Sequence, residues 1–206
     1  MKNIIIQILL LLFLNSSYVL NDNNFMELII DSDLTFEEAI KGSKAPKEII
    51  DSLTLIDVFY YSFDKKLHKG QIVIHKELKD EVLEIFEMIK ILKFPVGKVV
   101  PIVKYNWSDD KSMKDNNTSS FNYRTISGTN RLSLHARGRA IDINPFLNPV
   151  VYPDGKVIPE GSSYNPKKLG TFYDTHPVVL EFKRLGWRWG GDFQSYKDYH
   201  HFDKEK

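Results

Sequence analysis

Residues 53–92 read LTLIDVFYYSFDKKLHKGQIVIHKELKDEVLEIFEMIKIL. Leu53–Phe63 is rich in β-branched and aromatic residues and predicts a strand. Lys69-Gly70 predicts a turn, with Gln71–His75 pairing back as a second strand. Leu78, Val82, Ile85, Phe86, Ile89 and Leu92 then fall on one face of a helix, and Pro95 ends it. Strands come together and a helix follows, rather than the two alternating, which points to an α+β fold with a largely antiparallel sheet.

Working outward, Thr35 and Glu38 form a capping box for a short helix that Gly42 can close. Downstream, strands are expected at Val99–Tyr105, Phe121–Ile126 and Ala140–Ile143, and a helix at His176–Leu185. Two long stretches separate them. Asn106–Ser120 is polar, and Pro145–Gly170 carries the turn Pro153-Asp154-Gly155. Long loops within a compact domain are frequently functional. The expectation is a single α+β domain: an antiparallel sheet, flanking helices and two long active-site loops.

The chain has 206 residues, 28 Lys+Arg against 27 Asp+Glu, and a net charge of +1. That balance lacks the basic excess of a nucleic-acid binder. There is no cysteine, which excludes disulfides, Cys-ligated metals and thiol nucleophiles. At the start, Lys2 precedes an apolar run, Ile4–Leu14, followed by Asn15, Ser16 and Ser17. The run is too short to span a bilayer, which needs about 20 residues. Its order is that of a secretory signal peptide over residues 1–20. Residues 21–206 are then expected outside the cytoplasm (periplasm, envelope or medium), with no stable membrane insertion.

Chemistry concentrates in three patches: Ser133–Pro145 (SLHARGRAIDINP), Trp187–Asp192 (WRWGGD) and Asp198–Phe202 (DYHHF). Gly138, Gly190 and Gly191 suit close backbone approach around a cramped site. Asp142 lies among Ala140, Ile141 and Ile143, where a buried carboxylate is costly unless paired or metal-bound. His135, Asp142 and either His200 or His201 would offer two imidazoles and one carboxylate, a donor set that zinc accepts. His68, His75 and His176 carry no motif and read as surface residues. Trp187 and Trp189 read as core and pocket wall.

The segment SLHARGRAID, followed by WGGDFQSYKDYHHF, resembles the zinc D-alanyl-D-alanine carboxypeptidase family of peptidoglycan peptidases. The likeness is greatest to its branch of L-alanyl-D-glutamate endopeptidases, and it extends over about residues 75–202. The resemblance implies a DD-peptidase/hedgehog-like fold and one Zn²⁺ per chain, held by His135, Asp142 and His201. It implies Asp198 as catalytic acid/base and Arg124 as a substrate-orienting arginine. Ser133 and Trp189 are candidate substrate contacts. His200 is expected to face away from His201, as neighbours on a strand do. Asp198 and Asp203 stand where many relatives have Glu, and Phe193 where Trp is usual. The implied activity is hydrolysis of an amide bond in peptidoglycan stem peptides. The alternative is a catalytically inactive, zinc-stabilised wall-binding module. N-terminal sequencing of protein recovered from the cell envelope should begin near residue 21; an intact Met1 on a membrane-bound form would contradict the signal peptide.

Overall fold

The computed structural model describes residues 27–205, so the expected signal peptide lies outside the described residues. In chain order the strands are β1 (Leu28–Ile30), β2 (Leu53–Tyr61), β3 (Leu67–His75), β4 (Lys98–Val99), β5 (Asn117–Thr118) and β6 (Ala140–Asp142). They continue with β7 (Val150–Val151), β8 (Val157–Ile158), β9 (Arg188–Trp189), β10 (Lys197–Asp198) and β11 (His201–Asp203). The helices are α1 (Phe36–Ala39), α2 (Lys47–Asp51), α3 (Lys79–Ile91), α4 (Asp109–Lys114) and α5 (Pro177–Arg184). Mixed helices and strands agree with the α+β expectation. The single sheet is replaced by four small ones among the described residues: β1-β3-β2, β10-β7-β8, β6-β11-β9 and β4-β5. Most pairings are antiparallel, but β1–β3 and β4–β5 are parallel.

The β2–β3 hairpin pairs Leu53 with His75 and Tyr61 with Leu67. Its turn therefore falls at Ser62–Lys66, where Lys65 has φ 65° and donates its N–H to the Ser62 carbonyl. The expected turn at Lys69-Gly70 is wrong, since both residues lie inside β3. Gly70 serves a close approach instead: a Cβ there would collide with the Val99 carbonyl. Val82, Ile85, Phe86 and Ile89 of α3 are buried in one core with Ile56, Val58, Ile72 and Ile74 of the hairpin. The α1 capping box is present as read.

The same core continues into the β6-β11-β9 sheet through Ile141, Trp189 and Phe202. Phe202 is fully buried and stacks on Phe182 of α5 with ring centroids 3.9 Å apart. His176 caps α5 by accepting from the Val178 N–H at 3.2 Å and packs edge-on against Phe94 and Phe172; burial lowers its pKa to about 4. It is not a simple surface residue. Neither is His68, which is buried between Asp31 (2.9 Å) and Asp64 (3.2 Å). His75 is half-buried, with Arg139 3.2 Å from its ring.

Other expectations are corrected too. Ile102–Tyr105 is a 3₁₀ turn, and Phe121–Ile126 forms no strand beyond a single bridge from Thr125 to Leu132. The 106–120 stretch is no open loop: it contains α4 and β5, and Ser112 and Asn117 are buried. Asn117 bonds both the N–H and the carbonyl of Val100. The 145–170 stretch contains the β7–β8 hairpin. Its ends are fastened by two fully buried asparagines. Asn144 donates to the carbonyls of Pro95 and Gly170 and accepts from the Gly97 N–H. Asn148 donates to Gly170 and accepts from the Phe172 N–H at 2.7 Å.

Because Phe182 joins α5 to the sheet beneath the three chemical patches, Phe182→Ala should destabilise the protein by about 3–5 kcal/mol. Urea unfolding measures this. A loss below about 1 kcal/mol would contradict the packing described.

Candidate metal centre

The 3₁₀ turn Leu134–Arg137 presents His135, and Ser133 starts it by accepting the His135 N–H on its hydroxyl at 3.2 Å. A bridge between Ser119 and Asp142 lays the Ser119–Ser120 backbone alongside β6. His135 Nδ1 therefore meets the Ser120 carbonyl at 2.6 Å. That contact places a proton on Nδ1 and turns Nε2 towards His201 and Asp142. On the facing strand, His201 sits directly opposite Asp142 in the β6–β11 register. His201 Nε2 bonds Asp203 Oδ2 at 3.0 Å, and Arg188 holds Asp203 from its other side at 2.6 Å. The remaining nitrogen, Nδ1, faces Asp142.

Three donor atoms converge as a result. His135 Nε2 lies 3.2 Å from His201 Nδ1 and 3.2 Å from Asp142 Oδ1, and His201 Nδ1 lies 3.0 Å from Asp142 Oδ1. Atoms bonded tetrahedrally to zinc at ~2.0–2.1 Å lie roughly 3.3 Å apart. The triangle is thus already close to the face of such a tetrahedron. His135, Asp142 and His201 are also the group that could hold a metal ion among the described residues. Each imidazole is steered from behind by a carbonyl or a carboxylate, the arrangement that orients metal-ligating histidines.

The electrostatics match. Burial alone would raise the Asp142 pKa, but the charges of His135 and His200 and hydrogen bonds from His135 and His201 hold it well below the carboxylate range. Burial alone would lower the His201 pKa. Hydrogen bonds to Asp142 and Asp203, and the charges of Asp142 and Asp198, outweigh that and raise it to about 10. A metal ion bound at these three donors would displace the His201 proton. Without metal, the stabilising effect of this proton is complete below about pH 6.5 and is lost as pH rises through about 10.

Asp198 reaches the cluster through His200. His200 Nδ1 donates to the Asn148 carbonyl at 2.7 Å, and its Nε2 lies 3.0 Å from Asp198 Oδ1 and 3.9 Å from Asp142 Oδ2. The Nε2 contact is out of line for a hydrogen bond, so Asp198 Oδ1 is buried without an aligned donor. His200 therefore faces the site, against expectation. Regular strand begins only at His201, so alternation does not govern its neighbour. Gly190 packs on the Asp198 backbone so closely that any Cβ would collide with it.

Arg124 pairs its guanidinium with Asp109 of α4, and its carbonyl accepts the Ser133 N–H at 3.1 Å. Trp189 is 3 % exposed and donates its indole N–H to the Tyr199 carbonyl at 3.0 Å. Asp203 and the Ser120 carbonyl were not among the expected site groups. Asp203 was detectable, since it lies two residues from His201 and shares its strand face; a backbone carbonyl leaves no sequence signal.

Residues 127–204 match the family model described as D-alanyl-D-alanine carboxypeptidase, which bears out the resemblance read from the motifs. The matched stretch contains His135, Asp142, Asp198 and His201. No curated protein and no solved structure matches the chain.

Asp203→Ala removes the carboxylate behind His201 and should weaken zinc binding by about 10–100-fold, with the fold intact by circular dichroism. Competition with a chromophoric chelator reads the affinity; an unchanged value would show that Asp203 does not orient the ligand.

Proposed function

We propose that this chain, which carries the D-alanyl-D-alanine carboxypeptidase pattern over residues 127–204, is an exported zinc-dependent peptidase. Its substrate is an amide bond in the stem peptides of peptidoglycan, cut in the carboxypeptidase or the L-alanyl-D-glutamate endopeptidase manner. The observation that carries the reading is the near-tetrahedral triangle of His135, Asp142 and His201, with Asp198 Oδ1, which has no aligned donor, linked to it through His200. The signal-peptide pattern of residues 1–20 agrees with an envelope substrate.

His135 Nε2, Asp142 Oδ1 and His201 Nδ1 would hold the ion. When bound, zinc supplies Lewis acidity, which polarises a carbonyl and acidifies a water molecule. Asp198 accepts the proton of the attacking water and returns it to the leaving amine, acting as base and then acid. His200, anchored on Asn148, fixes the position of the Asp198 carboxylate. Arg124 is assigned to the carbonyl oxygen of the substrate, where a cation stabilises developing negative charge; Asp109 and the Ser133 backbone set its position.

Asp198→Asn keeps the side-chain size but removes the proton acceptor. Hydrolysis of purified muropeptides should fall by about 10²–10⁴-fold while zinc stays near one per chain. Joint loss of zinc would make Asp198 a ligand. Near-wild-type turnover would refute its role as base. A wild-type protein that binds muropeptides without cutting them would instead be a zinc-stabilised wall-binding module.

A further inference from the structure

The segment joining β9 to β10 lines an open cleft of about 710 Å³, a volume within the ordinary range for small-molecule sites. Phe193 and Tyr196 supply its accessible aromatic wall over buried Trp187 and Trp189, and Arg188, Asp192, Gln194 and Ser195 line it as charged and polar residues. The last three are exposed, whereas Phe193 and Tyr196 are half-buried. Phe193 links the cleft to the reactive centre, its ring centroid 6.1 Å from that of His201. The ring row continues outward. Phe193 meets Tyr196 edge-on at 5.6 Å, and Tyr196 stacks on Tyr152 at 5.5 Å.

The wall is preformed. Tyr152 directly follows β7, which pairs with β10, so the Tyr196 ring is held from two segments of chain. Lys197 Nζ donates to the Phe193 carbonyl, and Gln194 donates to the Asp192 carbonyl, both at 2.9 Å. Lys183 bonds Asp192 at 2.7 Å and lies over the Trp189 ring at 5.4 Å.

Aromatic faces edged by a carboxylate, an amide and a hydroxyl complement one ligand chemistry above others. A pyranose ring offers an apolar C–H face and a polar rim of hydroxyl and acetamido groups. An aliphatic side chain would leave the polar edge unused. We propose that this cleft is a glycan subsite that takes the N-acetylated amino sugar to which the stem peptide is attached. The proposal rests on the peptidase reading for the identity of the attached peptide. It makes the preferred substrate a glycan-linked stem peptide rather than a released one.

The test uses the zinc-loaded protein and one stem peptide in two forms, free and linked to its disaccharide. The linked form should have a KM roughly tenfold lower, about the contribution of one well-stacked ring. Tyr196→Ala should abolish that difference, and Tyr196→Phe, which keeps the ring, should retain it. Gln194→Ala, at an exposed position that folding tolerates, should reduce it severalfold. Chemical-shift titration with the disaccharide alone gives a second readout independent of turnover, with shifts expected in wild type and lost in Tyr196→Ala. Cleavage of both forms at equal KM with no disaccharide binding would overturn the subsite and leave the peptidase reading standing. Tyr196-dependent disaccharide binding without cleavage of either form would overturn the peptidase reading and leave the subsite standing.

Discussion

The pairing of β6 with β11 is the constraint on which the site depends. Its register sets Asp142 opposite His201, and the next pair inward, Ile141 and Phe202, is fully buried. Sliding either strand by one residue would turn the carboxylate and the imidazole to the wrong face and expose the apolar pair. Core packing and donor geometry are therefore fixed by the same hydrogen-bond ladder. Phe182 and Trp189 press on Phe202 from α5 and β9, so Asp142 and His201 stand on a rigid support, as a functional site requires. The third donor of the cluster comes from outside the strand pair, on the Ser133-capped turn that brings in His135.

Charge explains why such a cluster persists in a buried place. A lone buried carboxylate is expensive, yet Asp142 lies within reach of three imidazoles: His135, His200 and His201. Asp203 is likewise satisfied, by His201 and Arg188. Asp198 Oδ1 is the exception, with no aligned donor. A buried acceptor kept undonated costs stability, and that cost is explained if the oxygen has a proton to receive during turnover.

Much of this was legible in sequence, for physical reasons that differ by residue. The β2–β3 pair and α3 announce themselves through hydrophobic periodicity, and the convergence of His135, Asp142 and His201 through motif spacing. The hairpin turn was misplaced because a glycine reads alike whether it turns the chain or admits a neighbour; Gly70 admits Val99. Helix α4 was missed because its residues, DDKSMK, carry no apolar stripe; Ser108 caps it and buried Ser112 anchors it. The 145–170 stretch looked open because Asn144 and Asn148 fasten it through backbone groups far away in sequence. His200 was turned the wrong way by extending the strand one residue too far.

The central claim is that β6, β11 and the His135 turn build one zinc site whose place is held by a proton on His201. Calorimetric titration of the metal-free protein with zinc at pH 7, repeated in buffers of different ionisation enthalpy, tests it directly. The account predicts saturation at one zinc per chain with proton release on binding, since hydrogen bonds to Asp142 and Asp203 raise the His201 pKa to about 10. Absence of saturable binding, or binding with no proton release, would contradict it.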